Sequence, residues 1–196
     1  MIRIYLISRY AIIFLERVNA MKEHKGMKSQ DVMILLFICQ YCEGSYKVSE
    51  IADSLKISQS EVSESINRSS IAKLIDSKSK AVFRYGFYEF LVYGLKFVFP
   101  VSPGPIVRGV PTSHSAPPLN RIISSDSDHF VWSYSKGKIR GMSIKPLYKT
   151  IPVIYEQFPE YYELLSLVDA LRIGRSREIV LARDFLKERL LNNGEQ

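Results

Sequence analysis

The apolar positions of this chain fall into three kinds of run. The first is dense. Residues 1–20, MIRIYLISRYAIIFLERVNA, are mostly apolar but interrupted by Arg3, Arg9, Glu16 and Arg17. That run is too short and too charged for a membrane span, and Arg9 breaks the apolar centre a signal peptide needs. It suits an amphipathic helix packing on a partner subunit. Alternatively it is an upstream extension, with the organised chain starting at Met21 or Met27. The run DVMILLFICQYC is also dense, and apolar almost all round, so it predicts a helix at the spine of a core. Ser29 can cap it, Asp31 lies in its first turn and Gly44 follows its end.

The second kind of run is sparse. KVSEIADSLKISQSEVSESINRSS, residues 47–70, is polar, with apolar residues only at helical intervals. Ser49 can cap a short helix in which Ile51, Ala52 and Leu55 face inward. Ile57 plugs a tight connection. Ser58 and Glu61 form S-x-x-E, a capping box. They predict a second helix from about Gln59 to Leu74, anchored by Val62, Ile66 and Ile71. Two short capped helices with a tight connection make a helix-turn-helix.

The third kind is mixed. FYEFLVYGLKFVFP predicts a helix followed by a strand ending at Pro100. The proline-rich VSPGPIVRGVPTSHSAPPL predicts extended or irregular chain. HFVWSYSKGKIRGMSI predicts two short strands around a turn at SKGK. PEYYELLSLVDALRIG and REIVLARDFLKERLL predict two terminal helices, the first opened by Pro159 and the second capped by Ser176. Their apolar stripes could meet a symmetry mate, together with the N-terminal helix, or form the core of one subunit.

With Val62 and Ile66 inward, steps of 100° put Ser60, Ser63, Glu64 and Asn67 outward, flanked by Gln59 and Arg68. Short polar side chains let a helix enter the major groove. There Asn and Gln can bond adenine, Glu can accept from cytosine, and Ser bonds either kind of edge. Lys73, Lys78, Lys80 and Arg84 follow and can meet phosphates. The turn around Gly137 adds Lys136, Lys138 and Arg140, a second candidate for a phosphate-contacting wing. A merely solvated face explains the same pattern, and helix-turn-helix folds also dock proteins.

VSEIADSLKISQSEVSESINRSSIAKLI resembles the helix-turn-helix of winged-helix bacterial regulators, the multiple-antibiotic-resistance-regulator (MarR-like) type especially. The resemblance covers residues 29–75 and implies a cytoplasmic homodimer on pseudo-palindromic double-stranded DNA. EFLVYG, FVFP, RGVPTSH, KPLY and LVDALRIGR resemble uncharacterised bacterial helix-turn-helix proteins.

Charge supports that partner without demanding it. The formal net charge is +7. Residues 101–150 hold seven Lys/Arg against two Asp/Glu, whereas residues 151–196 hold six against eight. The positive excess therefore lies mid-chain. Cys39 and Cys42 form a lone C-x-x-C without the second pair a structural zinc site needs, so they read as reduced core thiols. Ser113, His114, Ser115, Asp126, Asp128 and His129 could be drawn as a triad or metal site, but no nucleophile elbow or ligand ladder organises them.

The expected fold is mainly α with a small β part: a winged helix-turn-helix domain plus a mixed α/β C-terminal region ending in helices. The expected divisions are 1–26, an N-terminal helical extension; 27–98, the DNA-binding domain; and 99–196, a dimerisation or sensing region. The expected function is a sequence-specific regulator, a repressor acting as a homodimer. No catalysis, cofactor, metal or membrane is expected. The alternative is an antitoxin-like module that docks a protein through the helix-turn-helix.

Overall fold

The computed structural model describes residues 26–42, 45–123 and 129–192. The expected N-terminal helix and Gly44 lie outside them, as do Asp126 and Asp128.

Helix α1, Ser29–Tyr41, is the spine. Every residue from Asp31 to Cys39 is buried. A helix apolar on all sides needs neighbours on all sides. Helix α3, Gln59–Ile71, packs on it and carries helix α2, Val48–Leu55. Helix α6, Pro159–Ile173, packs on it as well. Phe37 meets the rings of Tyr161 and Phe158 edge-on, each with centroids 5.4 Å apart. The Tyr161 hydroxyl donates to the Met33 carbonyl at 2.7 Å, so its buried O–H is satisfied.

The starts of the first three helices follow one rule. In each, a carboxylate at the third position accepts a hydrogen bond from the backbone N–H before the helix. Asp31 caps Lys28 at 2.8 Å, Glu50 caps Lys47 at 3.2 Å and Glu61 caps Ser58 at 3.1 Å. Ser58 returns the bond, its hydroxyl accepting from the Glu61 N–H at 3.2 Å, which closes the capping box the spacing predicts. Ser29 and Ser49, the expected caps, lie within their helices instead, one residue past Lys28 and two past Lys47.

FYEFLVYGLKFVFP is helical as far as Val98 and contains no strand. Arg84–Glu89 runs through a π-helical stretch, Phe90–Gly94, into Leu95–Val98, and we call the whole α4. A short α5, Ile151–Ile154, and a terminal α7, Ser176–Leu191, complete the helices among the described residues. The two terminal stripes belong mainly to one subunit's core: α6 is buried continuously from Leu164 to Leu171.

The β part departs from the expected hairpin. Strands β1 (Ile106–Pro111), β2 (Phe130–Ser133) and β3 (Ile139–Ser143) close into a three-stranded barrel. β1 runs antiparallel to both partners, pairing Gly109–Pro111 with β2 and Ile106–Gly109 with β3. β2 and β3 are parallel, with Phe130 opposite Met142. Lys136-Gly137-Lys138 is therefore a crossing rather than a hairpin tip: the chain passes from one side of β1 to the other. Gly137 makes this possible, because a Cβ there would lie 2.2 Å from the Gly109 carbonyl oxygen.

Candidate nucleic-acid interface

The inward side of α3 is not the one its aliphatic residues suggest. Val62, Ser65, Arg68 and Ser69 are buried, while Ile66 and Ile71 are only half-buried. Two serines where bulky residues would usually sit let α3 approach α1 closely. Arg68 is turned inward with them, contrary to the flanking position expected for it. Its Nε and Nη2 donate to the two oxygens of Asp31 at 2.9 and 2.7 Å. This bidentate pair holds the guanidinium firmly charged, raising its pKa. Nη1 lies 3.5 Å from Glu64. Arg68 thus positions a residue of the outer face instead of meeting DNA itself.

That outer face is open. Gln59, Ser60, Ser63, Glu64 and Asn67 are all exposed. Among the described residues, the second half of the chain reaches α3's polar edge at one hydrogen bond. The Tyr148 hydroxyl donates to Glu61 at 2.6 Å. With the Ser58 N–H, it holds the Glu61 carboxyl below its ordinary range, while the Tyr148 hydroxyl is pushed up to about 12. The same loop is tied to the start of α1, where Ser29 donates to the Leu147 carbonyl at 2.7 Å. Between them opens a cleft of about 600 Å³ lined by Ser29, Ser143, Lys145, Tyr148, Lys149 and Pro152.

A wing does follow α3 directly, in miniature. Ile75 and Val82 form an antiparallel bridge, flanked by a Phe83 N–H to Leu74 carbonyl bond at 2.9 Å. Asp76 folds the turn by accepting from the Lys78 and Ser79 N–H groups at 2.9 and 2.6 Å, an Asx-type closure. Those bonds lower its carboxyl pKa. Helix α4 begins at Arg84 and leaves only this short wing before it. A wing of one bridge leaves no alternation in the sequence to mark it.

The predicted basic residues do not act alike. Lys73 and Lys78 are exposed. Lys80 donates to the Tyr46 carbonyl at 3.2 Å and lies 5.2 Å over that ring. Arg84 is drawn away from the edge. It donates to the Cys39 carbonyl at 2.8 Å and the Leu190 carbonyl at 3.3 Å, capping two helix ends. In the barrel, Lys138 pairs with Glu156 at 3.7 Å, Lys136 is exposed, and Arg140 stands directly opposite Arg108. Arg108 was not among the predicted residues, since nothing within its own proline-rich stretch marks it.

The weaker sequence candidates are walled in. Ser113 is fully buried. His114 packs against Phe130 with ring centroids 5.0 Å apart and lies 3.6 Å from Glu178. Cys39 and Cys42 are buried and free, and burial pushes the Cys39 thiol up to about 12. Among the described residues, no group of His, Cys, Asp and Glu could hold a metal ion, and no helix is long and apolar enough to cross a membrane.

Residues 31–68 match the family model described as bacterial regulatory protein, arsR family. The match begins at Asp31 and ends at Arg68, the two partners of the buried ion pair. It covers α1, α2 and most of α3, well under half of the chain. No curated protein and no solved structure matches. The segment is thus a DNA-binding helix-turn-helix of the regulator kind. The model matched is of the arsR family, so it supports a regulator-type helix-turn-helix and does not bear out the narrower MarR-like resemblance.

Proposed function

We propose that this chain is a sequence-specific transcriptional repressor, not an enzyme, and that it acts in the cytoplasm as a homodimer on double-stranded DNA. One observation carries the reading. Gln59, Ser60, Ser63, Glu64 and Asn67 stand exposed on a helix whose inner side is locked by the Asp31–Arg68 pair. A rigid helix with short polar side chains on its free face fits the major groove. Lys73 and Lys78 lie where phosphates would flank it.

The homodimer reading draws on α4. Its outer face exposes Tyr85, Tyr93 and Phe97, the last 73% exposed. Glu89 and Lys96 are exposed on the same helix, on either side of Tyr93. Two copies crossing antiparallel at Tyr93 would pair each Glu89 with the other copy's Lys96, an isologous contact.

Footprinting on the DNA upstream of the chain's own gene tests the reading, with Asn67→Ala beside the wild type. A protected near-palindrome is expected. Asn67→Ala should relax preference at one base pair in each half-site by about 1–3 kcal/mol, the worth of a bidentate base contact. Binding to a protein, with no affinity for any duplex, would instead favour a docking role for the same face.

A further inference from the structure

Arg108 on β1 and Arg140 on β3 occupy directly opposed positions of an antiparallel pair. Opposed side chains in such a pair have Cβ atoms roughly 4.5–5.5 Å apart, and like charges there are destabilising. Both arginines are exposed. Among the described residues, neither guanidinium has an ion-pair or hydrogen-bond partner. Lys136 adds an exposed cation in the adjoining crossing. Lys138 is answered only by a surface contact with Glu156 at 3.7 Å.

The strands cannot relieve the repulsion by slipping. A Cβ on Gly109 would lie 2.1 Å from the Trp132 carbonyl oxygen, and one on Gly141 2.4 Å from that of His129. Any shift that put a side chain at these crossings would force backbone apart. The register therefore holds the stems of the two arginines side by side. Their planar guanidinium forks match phosphate oxygens bidentately.

β3 also leads directly to the DNA-reading helix. Tyr148, whose hydroxyl holds Glu61 in the first turn of α3, follows Arg140 by only eight positions. Eight residues span at most about 29 Å. One turn of duplex is about 34 Å. Both features can therefore act within a single turn of one DNA molecule.

We propose that the barrel is a second DNA-contacting element, in which Arg108 and Arg140 hold adjacent phosphates of the duplex that α3 reads. This rests on the regulator reading above.

The test compares the full-length wild type with Arg108→Gln/Arg140→Gln and with Asn67→Ala. Affinity for the upstream duplex and for an unrelated duplex is measured across a salt series. The arginine variant should lose about tenfold or more on both duplexes alike. Its log–log salt slope should be shallower by about 3.6, at about 0.9 per phosphate contact for the four arginines of a bound dimer. Its melting temperature should hold or rise, because a like-charge pair has gone. Asn67→Ala should instead change base preference and leave the slope alone.

If the wild type binds duplex DNA and the arginine variant matches it in affinity and slope, the barrel proposal is wrong and the regulator reading stands. If Asn67→Ala leaves base preference untouched while the arginine variant weakens binding, the barrel contact stands and the reading role of α3 fails. A wild type with no affinity for any duplex overturns both.

Discussion

Asp31 and Asp169 are both buried, and each holds an arginine at 2.7 Å. The neighbourhoods they serve differ. Asp31 joins two helices of one motif: it caps α1 through the Lys28 N–H and fixes α3 through Arg68. Asp169 joins segments that are far apart in sequence. It accepts from the Thr112 hydroxyl at 2.8 Å and the Trp132 indole at 2.6 Å, and it holds Arg172. Arg172 in turn donates to the Phe99 and Lys145 carbonyls. The first aspartate trims a motif that local spacing already specifies. The second stands in for spacing, gathering the end of α4, two barrel strands and the loop after β3 onto α6.

The difference can be broken at its strongest point by Asp169→Ala. This change leaves Arg172, whose side chain is only 4% exposed, as an uncompensated buried charge. It also orphans the donors of Thr112 and Trp132. The expected loss is about 3–5 kcal/mol, read by urea unfolding. Hydrogen exchange should show the barrel opening before α1 to α3. Simultaneous loss of both regions would mean that the helix-turn-helix depends on the same hub.

A smaller change probes the barrel's closure. Gly137→Ala sets a methyl group against the Gly109 backbone, where the nearest atoms cannot swing away. A loss of about 1–3 kcal/mol is expected by the same urea unfolding, as for an overpacked core. An unchanged stability would show that the crossing has slack.

The same contrast explains what the sequence revealed. The helix-turn-helix was legible because its signals are short-range: the S-x-x-E box at Ser58 and Glu61, the helical spacing of Ile51, Ala52 and Leu55, and the outward set from Gln59 to Asn67. Its most telling local error was Arg68. A helical wheel anchored on Val62 and Ile66 puts Arg68 at the rim, whereas the buried line runs through Ser65 and Ser69. Only its partner, 37 residues earlier, betrays the true side. An aspartate at the head of an otherwise apolar helix was the available clue. The barrel's topology was not legible. KGK between two strands is an ordinary hairpin signal, and nothing nearby says that Gly137 must pass beneath Gly109. The strands were found and their pairing was not, because pairing is set by contacts between distant residues, Val110 with Trp132 and Ile106 and Phe130 with Met142, and not by any one of their neighbourhoods.

The seam between the two regions offers the finest test. Tyr148→Phe removes the hydroxyl that ties the loop after β3 to Glu61. The site is partly exposed, so the loss should be about 0.5–1 kcal/mol. Its pH dependence has a definite sign. Glu61 is held below its ordinary 4.5, so its share of stability is present above that value and fades as the pH falls through the lower folded one. Tyr148 is raised from 10 to about 12, so its share is complete below 10 and fades as the pH rises through 12. The gap between wild type and variant, measured by urea titration, should therefore be full from about pH 5 to pH 10 and shrink outside that window. A gap that is absent at pH 7 would mean that the two regions touch at this seam without being coupled. A gap that persists undiminished at pH 3 would show that the hydroxyl serves the loop alone and not the carboxylate at the head of α3.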